Sequence, residues 1–237
     1  MLKYPLFDHM TRQKHLLIAG ASGSGKSVLL NGLIYNLLFE SPHDVQFIMI
    51  DVKKVELIDY INCPHVIRYA DSTQAATDAL QTALNECLNR FQYMQNKRLK
   101  MFDGPHLYVI IDELADLMAT AQKQVTPLLQ RICQLGRAAR VHSIVCTQCP
   151  LASIIPTCIK VNYDSRVGLH TSTKQDSRNI IEQSGLESVQ VGNGFYRYPG
   201  NDVLVKIPYV TQQQIDEMVA YWETRKQRKT WFNRLFK

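Results

Sequence analysis

His15-Leu16-Leu17-Ile18-Ala19-Gly20-Ala21-Ser22-Gly23-Ser24-Gly25-Lys26-Ser27 is the stretch whose reading decides the fold. Gly20 to Ser27 satisfies the pattern G-x-x-x-x-G-K-[S/T], and it lies between an apolar run and a helical pattern, the context a phosphate-binding loop needs. The apolar run predicts a strand over about 15–20. The following residues predict a helix over about 26–39, because Leu29, Leu30, Leu33, Ile34, Leu37 and Leu38 fall on one stripe. Glycines let such a loop wrap so that backbone N–H groups face phosphates, and the helix N-terminus adds its dipole. Lys26 would reach the β and γ phosphates, and the Ser27 hydroxyl would ligate magnesium. Gly20, Ala21, Ser22, Gly23, Ser24, Gly25, Lys26, Ser27 and Val28 are therefore the expected nucleotide-binding residues, with ATP and Mg2+ as the expected cofactors. The bland alternative is a glycine-rich turn that binds nothing.

Working outward, a second apolar strand over 45–51 follows Pro42, and the Asp71-Ser72 cap signal opens a long amphipathic helix over about 72–100. Asp103-Gly104-Pro105 ends it. Strands recur at about 106–112, 141–147 and 165–170, separated by helical stretches near 122–139 and 174–184. Continuous apolar strands alternating with helices imply an α/β fold with a mostly parallel sheet covered on both faces. From Phe195 the texture changes to short strands at 195–198 and 203–207, then a helix from the Thr211 cap through Trp222. The expected division is a main domain over 1–210 and a C-terminal helix with a basic aromatic tail over 211–237.

A chain of 237 residues can bury a substantial core in one domain. No apolar run approaches the 18 or more residues of a membrane-spanning helix, and Met1-Leu2-Lys3-Tyr4-Pro5 lacks a secretory apolar region. The expectation is a soluble intracellular protein. Cysteines at 63, 87, 133, 146, 149 and 158 show no framework spacing, which argues against disulfides. The net charge of +6 resides in the tail, since Arg225, Lys226, Arg228, Lys229, Arg234 and Lys237 lie there without an acid. Without these six, the 27 basic residues fall to 21, equal to the 21 acids. Any nucleic-acid contact on the body must then be local.

The strand Leu107-Tyr108-Val109-Ile110-Ile111 ends in Asp112-Glu113, delivering two acids to the carboxyl edge of the sheet, where the phosphate loop also lies. Asp112 would hold magnesium and Glu113 would polarise the attacking water. The competing reading is that Asp112 only caps the next helix. Gln148, ending the next strand, is placed to sense the γ-phosphate or orient water, or is a solvated strand end. Cys146 and Cys149 spell C-x-x-C with no second pair, so neither a metal nor a redox role is expected. Arg131, Arg137 and Arg140 crowd a helix end. They either compensate the helix dipole or supply an arginine to a neighbouring subunit's γ-phosphate, and sequence alone leaves both readings open.

Taken together, residues 15–34, Phe47-Ile48-Met49-Ile50-Asp51-Val52-Lys53-Lys54-Val55-Glu56-Leu57, Ile110-Ile111-Asp112-Glu113-Leu114-Ala115-Asp116 and Gly136-Arg137-Ala138-Ala139 resemble the FtsK/SpoIIIE family of DNA translocases. Thr147-Gln148 and Asp176-Ser177-Arg178 continue the match, which runs from about residue 14 to 198. The resemblance implies a RecA-like motor domain that forms a hexameric ring, threads double-stranded DNA through its centre and moves along it using ATP. By motif, Lys26, Ser27, Asp112 and Glu113 take the nucleotide, magnesium and water roles, and Arg137 becomes the trans-acting arginine. Lys160, Lys174 and Arg178 fall where the family's pore-facing loops carry DNA-contacting bases. Basic residues there would track phosphates without reading sequence, while solvated surface charge is the alternative.

Three departures stand out. The family's usual arginine after Thr-Gln is Cys149 here, which removes a charge from the pore. The short segment before the first strand and the short tail lead us to expect a motor without an anchor, a preceding domain or a winged-helix module, of the kind a phage, plasmid or conjugative element would carry. Residues 225–237 interleave aromatics with bases and would meet a membrane, a protein partner or DNA outside the ring, unless they are only a frayed helix end. Rival expectations are a DNA-packaging or conjugative-transfer ATPase, and a nucleotide-switched scaffold that does not translocate.

Overall fold

A computed structural model describes residues 2–148, 150–151 and 154–235, with side chains described as far as residue 225. The elements in order are α1 (Pro5–Thr11), β1 (His15–Ala19), α2 (Lys26–Leu37), β2 (Val45–Ile50), β3 (Val66–Ala70), α3 (Thr73–Lys97), β4 (His106–Ile111) and α4 (Leu114–Ala139). They continue with β5 (Val141–Thr147), α5 (Thr157–Lys160), β6 (Ser165–Gly168), α6 (Lys174–Ile181), β7 (Asn193–Tyr198), β8 (Asn201–Lys206) and α7 (Gln212–Leu235). The eight strands form one sheet in the order β3-β2-β4-β5-β1-β6-β7-β8. The six strands from β3 to β6 are parallel, and β7 and β8 add antiparallel to β6.

The continuous apolar strands are buried because both faces are covered, and alternation sorts their side chains. Leu16, Ile18, Phe47, Met49, Tyr108, Ile110, Ile144 and Cys146 meet α1, α2 and α7 on one face. Leu17, Ile48, Ile50, Leu107, Val109, Ile111, Val141 and Val145 meet α3, α4 and α5 on the other. The whole predicted stripe of α2 is buried against the first of these. α7 joins the same core through Ile215, Met218 and Trp222, whose indole N–H donates to the Leu38 carbonyl at 2.8 Å. Its start is a reciprocal cap, Thr211 N–H donating to the Gln214 side-chain oxygen and Gln214 N–H to the Thr211 hydroxyl.

Three elements escape the periodicity, among them α5, a single turn of four residues. β3 is an edge strand of mixed polarity, only its last residue fully buried, so it lacks the apolar run that marks its neighbours. α1 spans two turns with Pro5 at its start. α4 also starts earlier than about 122: it begins at Leu114 and breaks at Ala121, where φ is −137°, so only its second segment matches the predicted helix. Ser72 caps α3 as expected, accepting from Ala75 N–H. Among the described residues no helix is long and apolar enough to cross a membrane.

Candidate nucleotide site

The loop after β1 hangs between the ends of its two neighbours, β5 and β6. Gly20 N–H donates to the Thr147 carbonyl and Ala21 N–H to the His170 carbonyl. Gly23 and Gly25 take φ of 72° and 98°, conformations that side chains resist, and Gly25 forms the N-cap of α2. Lys26 curls back so that its ammonium donates to the Gly20 and Ala21 carbonyls, each at 2.8 Å. Burial lowers the pKa of this ammonium, against the pull of Glu113, Asp112 and Glu56. The Ser24 hydroxyl is buried in the loop and has no hydrogen-bond partner among the described residues.

A cleft of about 440 Å³ opens here, lined by Ser22, Gly23, Gly25, Lys26, Ser27, Val28, Lys53, Val55, Glu56, Asp112, Glu113 and Gln148. The predicted loop residues, both acids and Gln148 thus converge. Glu113 is nearly buried and does two jobs at once: its Oε1 accepts the Ala115 N–H at 3.1 Å as N-cap of α4, and its Oε2 accepts the Gln148 N–H at 3.0 Å. The cap that the sequence offered to Asp112 belongs to Glu113, because backbone pairing to β2 runs on through Asp112, whose N–H donates to the Ile50 carbonyl. Asp112 is free to face the cleft. Burial, then the nearby charges of Glu56, Asp51 and Glu113, push its carboxyl up to about 7.

Sequence reasoning gave no site role to Asp51 and Glu56, in the stretch that follows β2. Asp51 is buried, and its Oδ2 accepts the N–H groups of Glu56 and Leu57 and the Tyr69 hydroxyl. The tight turn this makes carries Glu56 to α2, where the Ser27 hydroxyl donates to its carboxylate at 2.7 Å. Lys53 pairs with Asp116 at 3.1 Å, tying the same turn to α4. The signal was present as an acid just beyond an apolar strand, the pattern recognised for Asp112, but five residues separate Asp51 from Glu56 and hide it.

The donor set suits magnesium. Ser27 and Asp112 offer hard oxygens, and a cation would relieve the crowding that raises Asp112. Among the described residues no three His, Cys, Asp or Glu side chains gather to hold a metal unaided, so phosphates and water would have to complete the shell.

The other predicted residues lie elsewhere. Arg137 is exposed near the far end of α4, about 36 Å along the helix from Glu113 at 1.5 Å per residue, though the break shortens that path. Arg140 is the C-cap and donates to the Gly104 carbonyl, while Arg131 bonds Gln134 one turn away. Lys174 and Arg178 are exposed one turn apart on α6. Lys160 ends α5 and is half-buried, with its ammonium 3.7 Å from Glu182, the C-cap of α6, which also binds Arg166 and Arg197. Cys146 is fully buried in β5, and burial drives its thiol well above the usual range. Cys149 lies outside the described residues, as do the side chains of the basic tail beyond Arg225.

With the strand order, the loop and its paired acids established, the decisive comparison is a family model, FtsK/SpoIIIE family, that matches residues 4–106 and 100–152. The chain belongs to the FtsK/SpoIIIE family. It is 36% identical over 94% of its length to the DNA translocase FtsK of Helicobacter pylori strain J99, and 35% identical over 92% to that of Staphylococcus epidermidis strain RP62A. The chain spans 29% and 30% of those relatives, under a third of each. In fold it resembles the monomer form of the pCW3 conjugation coupling protein TcpA with ATPγS, with a TM-score of 0.78 and 22% identity over 90% of this chain and 66% of that one. The architecture is RecA-like.

Proposed function

We propose that this FtsK/SpoIIIE-family chain is an ATP-driven motor on double-stranded DNA that works as a ring, hexameric by analogy with the family. The observation that carries the hydrolytic part is Glu113, its carboxylate fixed by two backbone N–H groups in the cleft that Lys26 and Ser27 line. A carboxylate held in place without being neutralised by a cation is fit to take the proton of an attacking water. Gln148, whose backbone fixes Glu113, is placed to orient that water or register the γ-phosphate. Lys26 would exchange its loop carbonyls for the β and γ phosphates. Magnesium, held by Ser27 and Asp112, would neutralise phosphate charge.

Arg137 lies too far along α4 to serve its own cleft, which supports a role at a neighbouring subunit's γ-phosphate. Lys174 and Arg178 would track DNA phosphates, and Lys160 would contribute less because Glu182 already shares its charge. ATPase rate measured with and without linear duplex DNA tests the whole reading, and absence of turnover in both conditions refutes it. Mixing Arg137→Ala subunits with Glu113→Gln subunits should restore turnover, since some interfaces would then combine an intact acid with an intact arginine. A mixture as inactive as either parent rejects the shared site. Stimulation by single strands alone would instead favour a transfer ATPase.

A further inference from the structure

We propose that Glu56 is a positioning residue for the magnesium ligand Ser27, an inference that rests on the nucleotide-site reading above. A serine hydroxyl can ligate a cation only through its oxygen lone pairs, so its proton must point elsewhere. Here that proton is committed to Glu56, at 2.7 Å, and the acceptor is an anion, which makes the bond strong and the serine oxygen more electron-rich. The acceptor lies 29 positions beyond Ser27 on a different loop, where the sequence pattern assigns it no role.

Glu56 does not reach Ser27 by chance of rotamer. Asp51 holds its backbone N–H at 3.0 Å and that of Leu57 at 2.9 Å. The Tyr60 hydroxyl, four residues on, donates to Asn31 on α2, one turn beyond Ser27. Lys54, at a φ of 59°, is tied to Asp71 at 2.8 Å. The turn is thus pinned to the phosphate-loop helix and to the sheet, and Glu56 projects between the anchors.

The test is equilibrium binding of a fluorescent ATP analogue to the full chain, titrated with magnesium and repeated with chelator. Glu56→Gln and Glu56→Ala should raise the magnesium concentration needed for half-maximal nucleotide binding about 10-fold. Metal-free affinity should stay the same or tighten, because one negative charge leaves the phosphates' surroundings. Glu56→Asp should recover part of the magnesium dependence. A structural defect would weaken binding with and without metal alike, and that outcome, or a magnesium titration equal to wild type, overturns the proposal. Lys26→Ala is the separate control: if it binds nucleotide as well as wild type, the nucleotide-site reading itself fails.

Discussion

The two edges of the sheet handle buried polarity in opposite ways. At the amino edge, His15 Nδ1 accepts from Ser143 N–H, its Nε2 donates to the Cys133 carbonyl, and the Ser143 hydroxyl continues to Tyr163. Beside it His142 donates through Nδ1 to the Gln13 and Lys14 carbonyls and receives His106 at Nε2. Both nitrogens of His15 and of His142 are hydrogen-bonded, and burial lowers His15 to about 3 and His142 to about 4. At the carboxyl edge, Glu113, Asp112 and Glu56 gather near the Lys26 ammonium, Lys53 lies close to Asp112 and Glu113 as well, and Asp112 still rises to about 7. A satisfied network specifies packing, whereas uncompensated like charge is tolerated where a ligand will supply the balance.

The sharpest way to break this contrast is to change one residue at each edge. Glu113→Gln should lower ATP turnover about 10²–10⁴-fold and leave thermal unfolding nearly unchanged, because the amide oxygen can still cap α4. Gly136→Ala should do the reverse. An added Cβ would collide with the Val141 carbonyl oxygen and approach His15 Cε1 to 2.9 Å, so unfolding in denaturant should show a loss of about 1–3 kcal/mol, with nucleotide affinity per folded molecule unchanged. If Gly136→Ala abolished nucleotide binding at wild-type stability, the separation of the edges would be wrong.

Titration sharpens it further, with opposite signs. His15 and His142 have folded values below their ordinary 6.5, so the unfolded chain binds more protons between about 4 and 6.5 and stability falls as pH falls through that window. Asp112 is raised from 3.8 to about 7, so the folded chain holds its proton longer and this acid costs stability as pH rises from about 4 to 7. Asp112→Asn should therefore stabilise the metal-free protein at pH 7 by about 1–2 kcal/mol and steepen the fall in stability toward pH 4, read from unfolding midpoints across pH. Equal pH profiles for variant and wild type would remove the carboxyl edge's charge crowding from the account. The smallest effect belongs outside both edges: Arg131→Ala, exposed and bonded only along its own helix, should shift stability by no more than about 0.5 kcal/mol.

Much of this was legible in advance where chemistry is local. The phosphate loop, the α2 stripe, the four central strands and the Asp112-Glu113 pair are contiguous patterns, and each is found where periodicity or spacing put it. The family was legible too, since its motifs recur in order along the chain. β3 was not, because an edge strand need not be apolar on both faces. The cap of α4 was misplaced by one residue, since adjacent acids at a strand end look alike until the last ladder bond is known.

The sequence by itself determined that a glycine-rich loop of phosphate-loop pattern follows β1, that a parallel sheet carries two acids to the same edge, and that the basic excess sits in the tail. Motif spacing and alternation are properties of neighbouring residues, and backbone geometry converts them directly into place. Tertiary structure alone decided that Glu113 caps α4 while lining the cleft, that Ser27 gives its proton to Glu56, and that Arg137 stands at the far end of α4 from that cleft. Those depend on which strands lie side by side. The pairing of β2 with β4 rather than β1 is a balance of many weak contacts spread over the chain, which no short stretch contains.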